Sequence, residues 1–233
     1  MTKVLTGDWR VLGIHRGGRS LLLKPLDGQE IPDEFRLGAA TRVGRANYGG
    51  DVQRTIDELV PGNRITAGVY PGEPGRFTTV DLVDDQRLVV ADSVTATPRF
   101  VQDLWAEADS SYDGDGPLAL TRSLDVPDTV AEVYVAASTA VSDDDLWWAF
   151  VGGEVDESLF EGFDHAEGRP AEFLAANPDG TPYFWVVKFG DRDTDAALSL
   201  ARGTGIVEPN QDIEDAVQAA LAEHGFADAV RLN

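Results

Sequence analysis

The chain contains no cysteine, which excludes disulfides, thiolate zinc sites and cysteine nucleophiles together. It has one methionine and three histidines, and only three of its 19 cations are lysines: Lys3, Lys24 and Lys188. No apolar run approaches the ~18 residues that a membrane-spanning helix needs. The longest uncharged stretches, Val133 to Ser142 and Leu146 to Gly153, stop well short of it. Met1 to Asp8 shows no extended apolar core and no twin arginine, so no secretory leader is expected and a cytoplasmic location is. Hydrolase, NTPase, zincin and dinucleotide chemistry have no motif to stand on. There is no Gly-x-Ser-x-Gly elbow, no Walker loop, no His-Glu-x-x-His and no Gly-x-Gly-x-x-Gly after a strand. No DNA-binding motif or RNP-like string occurs, and no cofactor is expected.

What is present is acid. Asp and Glu number 41, for a formal net charge of -22, yet 42% of residues are hydrophobic, too many for a disordered acidic segment. Such self-repulsion is tolerable where salt screens it, since the Debye length shrinks to about 3 Å at 1 M. Scarce lysine, abundant aspartate and a lone methionine resemble the composition of haloarchaeal cytoplasmic proteins, which implies a halophilic setting. The charge is also lopsided. Residues 1–100 hold 13 cations and 13 acids, whereas residues 101–233 hold 6 cations and 28 acids. Either the first half is less exposed, or it binds something anionic, because a neutral lobe is relatively basic among acidic surfaces.

Strand patterns dominate the first half. Trp9 to His15 and Ser20 to Lys24 read as two strands joined by Arg16-Gly17-Gly18-Arg19. Arg64 to Tyr70, Arg76 to Val83 and Arg87 to Ala91 read as a three-strand meander, with a short helix favoured over Asp51 to Val60 and a strand as the alternative there. These strands predict a small barrel, for which an OB-like topology is one arrangement. Thr97-Pro98 starts a helix with Phe100, Val101, Leu104, Trp105 and Ala108 on one face, and the polar loop Ser110 to Pro117 ends it. Strands are expected at Leu118 to Leu124, Thr129 to Ala137, Asp143 to Val151 and Tyr183 to Phe189. The last two are aromatic, and adjacent large residues such as Phe184 and Trp185 must face opposite ways, so their sheet should be covered on both sides. Short helices are expected near Glu157 to Phe163 and Pro170 to Ala175, another from Asp193-Thr194-Asp195 to Gly203, and a last one from Gln211 to His224. The fold class is therefore α+β, with a β-rich small-barrel lobe at 1–96 and an acidic α+β lobe with a mainly antiparallel sheet at 97–233.

Asp8 to Leu12, Leu21-Leu22-Leu23, Leu59 to Ala67, the helix bearing Leu104-Trp105 and the later aromatic strands resemble an uncharacterised haloarchaeal family of unknown function, over roughly residues 8 to 190. That resemblance implies a halophilic cytoplasm and no activity or site residues.

Chemical candidates are few. Asp113-Gly114-Asp115-Gly116 reads as a turn and not a calcium loop, because Arg122 falls where the bidentate Glu must be. Asp143-Asp144-Asp145 reads as a solvated turn, and no metal site is expected. His15 and His224 end a strand and a helix; His165, with Asp164 and Glu167 beside it, is the one weak candidate for a general base. The stronger pattern is arginine: Arg10, Arg16, Arg19, Arg42 and Arg45, with Arg36, fall within 36 residues and are interleaved with Trp9, Phe35 and Tyr48. Stacking and bidentate hydrogen bonds by arginine survive salt that weakens simple charge attraction. The bland alternative is that these arginines sit in intramolecular ion pairs. The functional expectation is a non-enzymatic binding or adaptor module docking on a protein or ribonucleoprotein partner through those arginines. The alternative is a small-molecule enzyme with its site near His165.

Overall fold

The structure, a computed structural model, describes residues 3–15, 18–26, 28–37, 39–94, 96–111, 118–126, 129–138, 146–151, 171–191, 194–204 and 206. It is an α+β protein with two sheets in two compact units, one built on the described residues up to Arg87 with Phe150 and Val151, and the other on the remaining described residues from Leu88.

The first unit carries β1 (Leu5–His15), β2 (Ser20–Pro25), a single 3-10 turn (Asp33–Phe35), β3 (Arg36–Leu37), β4 (Ala40–Gly44), α1 (Gly50–Glu58), β5 (Arg64–Tyr70) and β6 (Arg76–Asp84). Its antiparallel sheet runs in the order β3-β4-β2-β1-β5-β6. Trp9, Val11, Leu21, Leu23, Ile65, Ala67 and Val69 alternate onto one face and pack with Ile56 of α1 and Phe77 and Val80 of β6. Alternation puts these residues on one face, and the intervening Arg10, Leu12 and Leu22 are buried as well. The Trp9 indole N–H is buried on that face and donates to the Ala67 carbonyl at 3.2 Å. The sheet curls until β4 meets the start of β6 at a parallel bridge between Val43 and Gly75. Among the described residues it does not close into a barrel, so the expected barrel becomes a curled sheet pinned at one point.

The second unit carries β7 (Arg87–Val94), α2 (Arg99–Ser111), β8 (Ala119–Val126), β9 (Thr129–Ala137), the first four residues of α3 (Leu146–Val151), β10 (Glu172–Pro178), β11 (Tyr183–Phe189) and α4 (Asp195–Thr204). The sheet order is β7-β10-β11-β9-β8. All seven residues of β11 are buried, as expected for a strand covered on both sides. Trp105 of α2 stacks on Tyr183 at 4.8 Å, and Trp147 of α3 packs on Phe184 at 5.5 Å. Adjacent strand residues face opposite ways, so these two helices cover opposite faces of one sheet.

Four expectations change. The third meander strand is β7, and it joins the second sheet; Leu88 to Ala91 are all buried, whereas β6 exposes Thr78, Thr79, Asp81, Leu82 and Val83 as an edge strand does. Leu146 to Val151 is a helix and not a strand. Trp147 and Phe150, three apart, are both buried, and the Ser138 carbonyl accepts the amides of Leu146 and Trp147 at the helix start. The segment near Pro170 to Ala175 is the strand β10, because burial beside β11 overrides the helical preference of its Glu, Leu and Ala residues. α4 runs through Gly203 to Thr204, after Thr194 Oγ1 accepts the Ala197 amide at 3.1 Å as its cap. The helices expected near Glu157 to Phe163 and Gln211 to His224 lie outside the described residues.

Candidate functional site

The bridge between β4 and β6 brings several arginines of the first unit into one region. Gly44 N donates to Gly75 O and Gly75 N donates to Arg42 O, each at 2.9 Å. Glycine is required at 75, because a Cβ there would lie 2.9 Å from the Tyr70 carbonyl oxygen and 3.3 Å from that of Arg42. The bridge brings Arg76 beside Tyr48, 28 residues away. The Arg76 guanidinium lies 4.8 Å over the Tyr48 ring centroid and donates to the Asn47 carbonyl at 2.8 Å. Tyr48 is itself fixed: its hydroxyl donates to Gly44 O at 2.8 Å and accepts the Phe77 amide at 3.1 Å. Its ring meets Phe77 edge-on at 5.9 Å. Asn47 has φ 70, a left-handed conformation that asparagine tolerates.

Arg45 belongs to the same segment. Its amide donates to the Arg19 carbonyl at 2.9 Å, and its guanidinium donates to the carbonyls of Ile56 and Asp57 at 3.3 and 3.2 Å. Those carbonyls end α1, where a cation is favoured. Gln53 tightens the loop by donating to Arg45 O at 2.7 Å and accepting the Tyr48 amide at 3.1 Å. Arg19 is exposed at the tip between β1 and β2, and Arg42 is half-buried on β4. The structure thus brings Arg19, Arg42 and Arg45 to one region and adds Arg76, which sequence spacing did not single out. The signal was the Pro71-Gly72-Glu73-Pro74-Gly75 turn, whose close backbone approach places Arg76.

Arg10 is elsewhere. It is 4% exposed, and its Nη1 donates to Gly62 O and Gln86 Oε1, both at 2.8 Å. It pins the Val60 to Asn63 turn, which Asn63 also holds by accepting the Val60 amide and donating to Gln86 O. Its sequence neighbours hid this, because alternation alone does not show which face of β1 is covered. Arg64 is paired with Asp8 at 2.5 Å. Asp8 also accepts the Thr66 hydroxyl at 2.6 Å; that bond first, then Arg64, holds its carboxyl below the usual range. Arg16 and His165 lie outside the described residues.

The second unit holds a group that sequence reasoning missed. Lys188, the one charge in β11, is 5% exposed, and its Nζ lies 3.8 Å from Glu132 Oε2 on β9. Burial pushes the ammonium below its usual pKa, and the Glu132 charge partly restores it. The signal was a lone lysine inside an apolar strand. Among the described residues, no group of three or more His, Asp or Glu side chains could hold a metal ion, and no helix is long and apolar enough to cross a membrane.

These features define a two-unit α+β protein with antiparallel sheets and an arginine-tyrosine surface on its first unit. The chain belongs to a family of unknown function (DUF6663), whose model matches residues 1–200. No curated protein and no solved structure matches it.

Proposed function

We propose that the chain is a non-enzymatic binding or adaptor protein of a halophilic cytoplasm, whose first unit docks on a protein or ribonucleoprotein partner presenting anionic groups. The observation that carries this reading is the Arg76 guanidinium 4.8 Å over the fixed Tyr48 ring, in a region to which backbone hydrogen bonds also bring the exposed Arg19 and the half-buried Arg42. An exposed guanidinium over an aromatic ring can bind by stacking and bidentate hydrogen bonding as well as by charge. Such contacts persist in salt that erases simple charge attraction. The halophilic setting rests on the -22 net charge and the three lysines.

The test is purification of the native protein in molar KCl, with mass spectrometry and nucleic-acid assay of what travels with it. Arg19→Gln combined with Arg76→Gln should strip the partner while leaving the melting transition nearly in place, since exposed ionic contacts are worth only about 0–1 kcal/mol each. Arg76→Lys should weaken binding as well, although the charge is kept. An unchanged set of co-purifying molecules in the double variant refutes the proposal.

A further inference from the structure

We propose that β8 is an interface for a second copy of this chain, the two β8 strands pairing antiparallel about Ser123 so that their sheets join. β8 ends the second sheet, with β9 on one side and, among the described residues, no strand on the other. Its ladder with β9 runs from Ala119 to Val126 without a bulge. Ala137 N donates to Leu118 O at 2.9 Å, so at every second step from there, at Leu120, Arg122, Leu124 and Val126, the backbone of β8 bonds to β9. The amides and carbonyls of Ala119, Thr121, Ser123 and Asp125 therefore point away from β9, along the open edge. The other sheet edges do not offer this. β3 has two residues, β6 is bulged twice and gives its Phe77 amide to the Tyr48 hydroxyl, and β7 is buried over Leu88 to Ala91. Shortness, bulges and cover are what keep a sheet edge from pairing with another chain, and the described residues give β8 none of the three.

The strand's own sequence selects a second copy as the occupant. Residues directly opposite in an antiparallel pair share a face. Pairing about Ser123 sets Leu120 against Val126, Arg122 against Leu124 and Thr121 against Asp125, each of them twice. On one face Leu120, Leu124 and Val126, all half-buried in the single chain, cover one another, while Arg122 stays paired with Glu107 of its own α2. On the other face the Thr121 hydroxyl donates to the Asp125 carboxylate of the second copy. Thr121, Ser123 and Asp125, whose backbone groups face outward, then exchange the hydrogen bonds of the new ladder. Centring the pair on Arg122 or Asp125 would set like charges opposite each other, which destabilises a sheet, and centring it on Thr121 or Leu124 would leave more of β8 unpaired.

Sedimentation equilibrium of the full chain in molar KCl tests this. One strand edge buries less than the roughly 1,600 Å² of a standard interface, so a dimer with Kd on the order of 10 μM is expected. Ser123→Pro removes an outward donor and no bond to β9, a place where an edge strand tolerates proline, so it should weaken the dimer about tenfold and leave the circular dichroism unchanged. Amide hydrogen exchange gives a second measure. The amides of Thr121, Ser123 and Asp125 should slow as protein concentration rises, and those of Leu120, Arg122 and Leu124, already held by β9, should slow far less. A chain that stays monomeric up to ~1 mM, bare or with an extended segment of another protein on β8, overturns the proposal. So does a dimer that Ser123→Pro leaves intact, or one in which exchange along β8 ignores concentration. The exchange pattern decides the matter even if the Pro variant fails to fold.

Discussion

Arg10→Met separates an arginine that holds the fold from the exposed arginines of the proposed docking surface. The substitution keeps most of the aliphatic stem and removes the guanidinium. Gly62 O and Gln86 Oε1, each 2.8 Å from Nη1, then lose a charged donor inside a buried turn. An acceptor left unsatisfied in the interior costs about 1–3 kcal/mol, so two of them cost roughly 2–6 kcal/mol. Removing a buried charge works in the opposite direction, because the guanidinium no longer has to be stripped of water. At 4% exposure the desolvation relief is substantial, but the two orphaned acceptors outweigh it, for a net loss of about 2–4 kcal/mol. For a protein of this size each kcal/mol moves the melting temperature by roughly 2–4 °C. Arg10→Met should therefore melt well below the wild type, while Arg19→Gln stays within a degree or two. Differential scanning calorimetry in molar KCl, with denaturant titration as a second measure, reads both. A melting temperature for Arg10→Met equal to that of the wild type would show that the buried turn does not depend on the guanidinium.

Three further outcomes follow from named contacts. Asp8 has a lowered folded pKa, so its contribution is complete above the unfolded value near 3.8 and disappears as pH falls through the lower folded value; the denaturant stabilities of wild type and Asp8→Asn should differ at pH 6 and converge toward pH 2. Gly75→Ala should cost about 1–3 kcal/mol by forcing apart the two backbone hydrogen bonds to Arg42 and Gly44, whereas Gly203→Ala, with open space around it inside α4, should gain roughly 0.5–1 kcal/mol; equal melting temperatures for the two variants would contradict the close approach at Gly75. Lowering salt should loosen the acidic second half first, and circular dichroism that stays native down to ~50 mM salt would remove the basis for a halophilic reading.

Two strands were legible from the chain alone, one by its alternation and one, buried on both sides, by its aromatic and β-branched residues between Pro182 and Gly190. Thr129 to Ala137 and Tyr183 to Phe189 have the same bounds in sequence and structure, and the helix over Asp51 to Val60 is α1 within two residues. The failures are apolar segments whose state or sheet is set by their tertiary partners. Leu146 to Val151, Ala171 to Ala176 and Leu88 to Ala91 are nearly continuous apolar runs, and such runs carry no period to tell helix from strand or one sheet from another. Their state is set by partners far along the chain: the Ser138 carbonyl for α3, β11 for β10, and β10 for β7. The arginine surface was half legible for the same reason. Arg19, Arg42 and Arg45 are close in sequence, but Arg76 reaches them through one glycine bridge, and Arg10 looks like its neighbours until the structure buries it.

The neutral charge of residues 1–100 does not mean a neutral surface, because the arginines there divide into two kinds. Arg10 and Arg45 are anchored on backbone carbonyls, where the partner is fixed by the fold and cannot leave. Arg36 and Arg54 pair with Asp33 and Asp51 at 4.0 and 2.8 Å, but with side chains more than half exposed, so each pairing is worth at most about 1 kcal/mol and exchanges readily. Arg76 is intermediate: the ring of Tyr48 sets the plane of its guanidinium, and one backbone acceptor uses part of its donor set. A guanidinium held in plane loses less side-chain entropy when it meets a carboxylate or phosphate than one tumbling in solvent. Pre-orientation at Arg76, with exchangeable cations at Arg36 and Arg54 elsewhere on the same unit, is what the proposed docking of an anionic group would use and what a merely less acidic surface would not need.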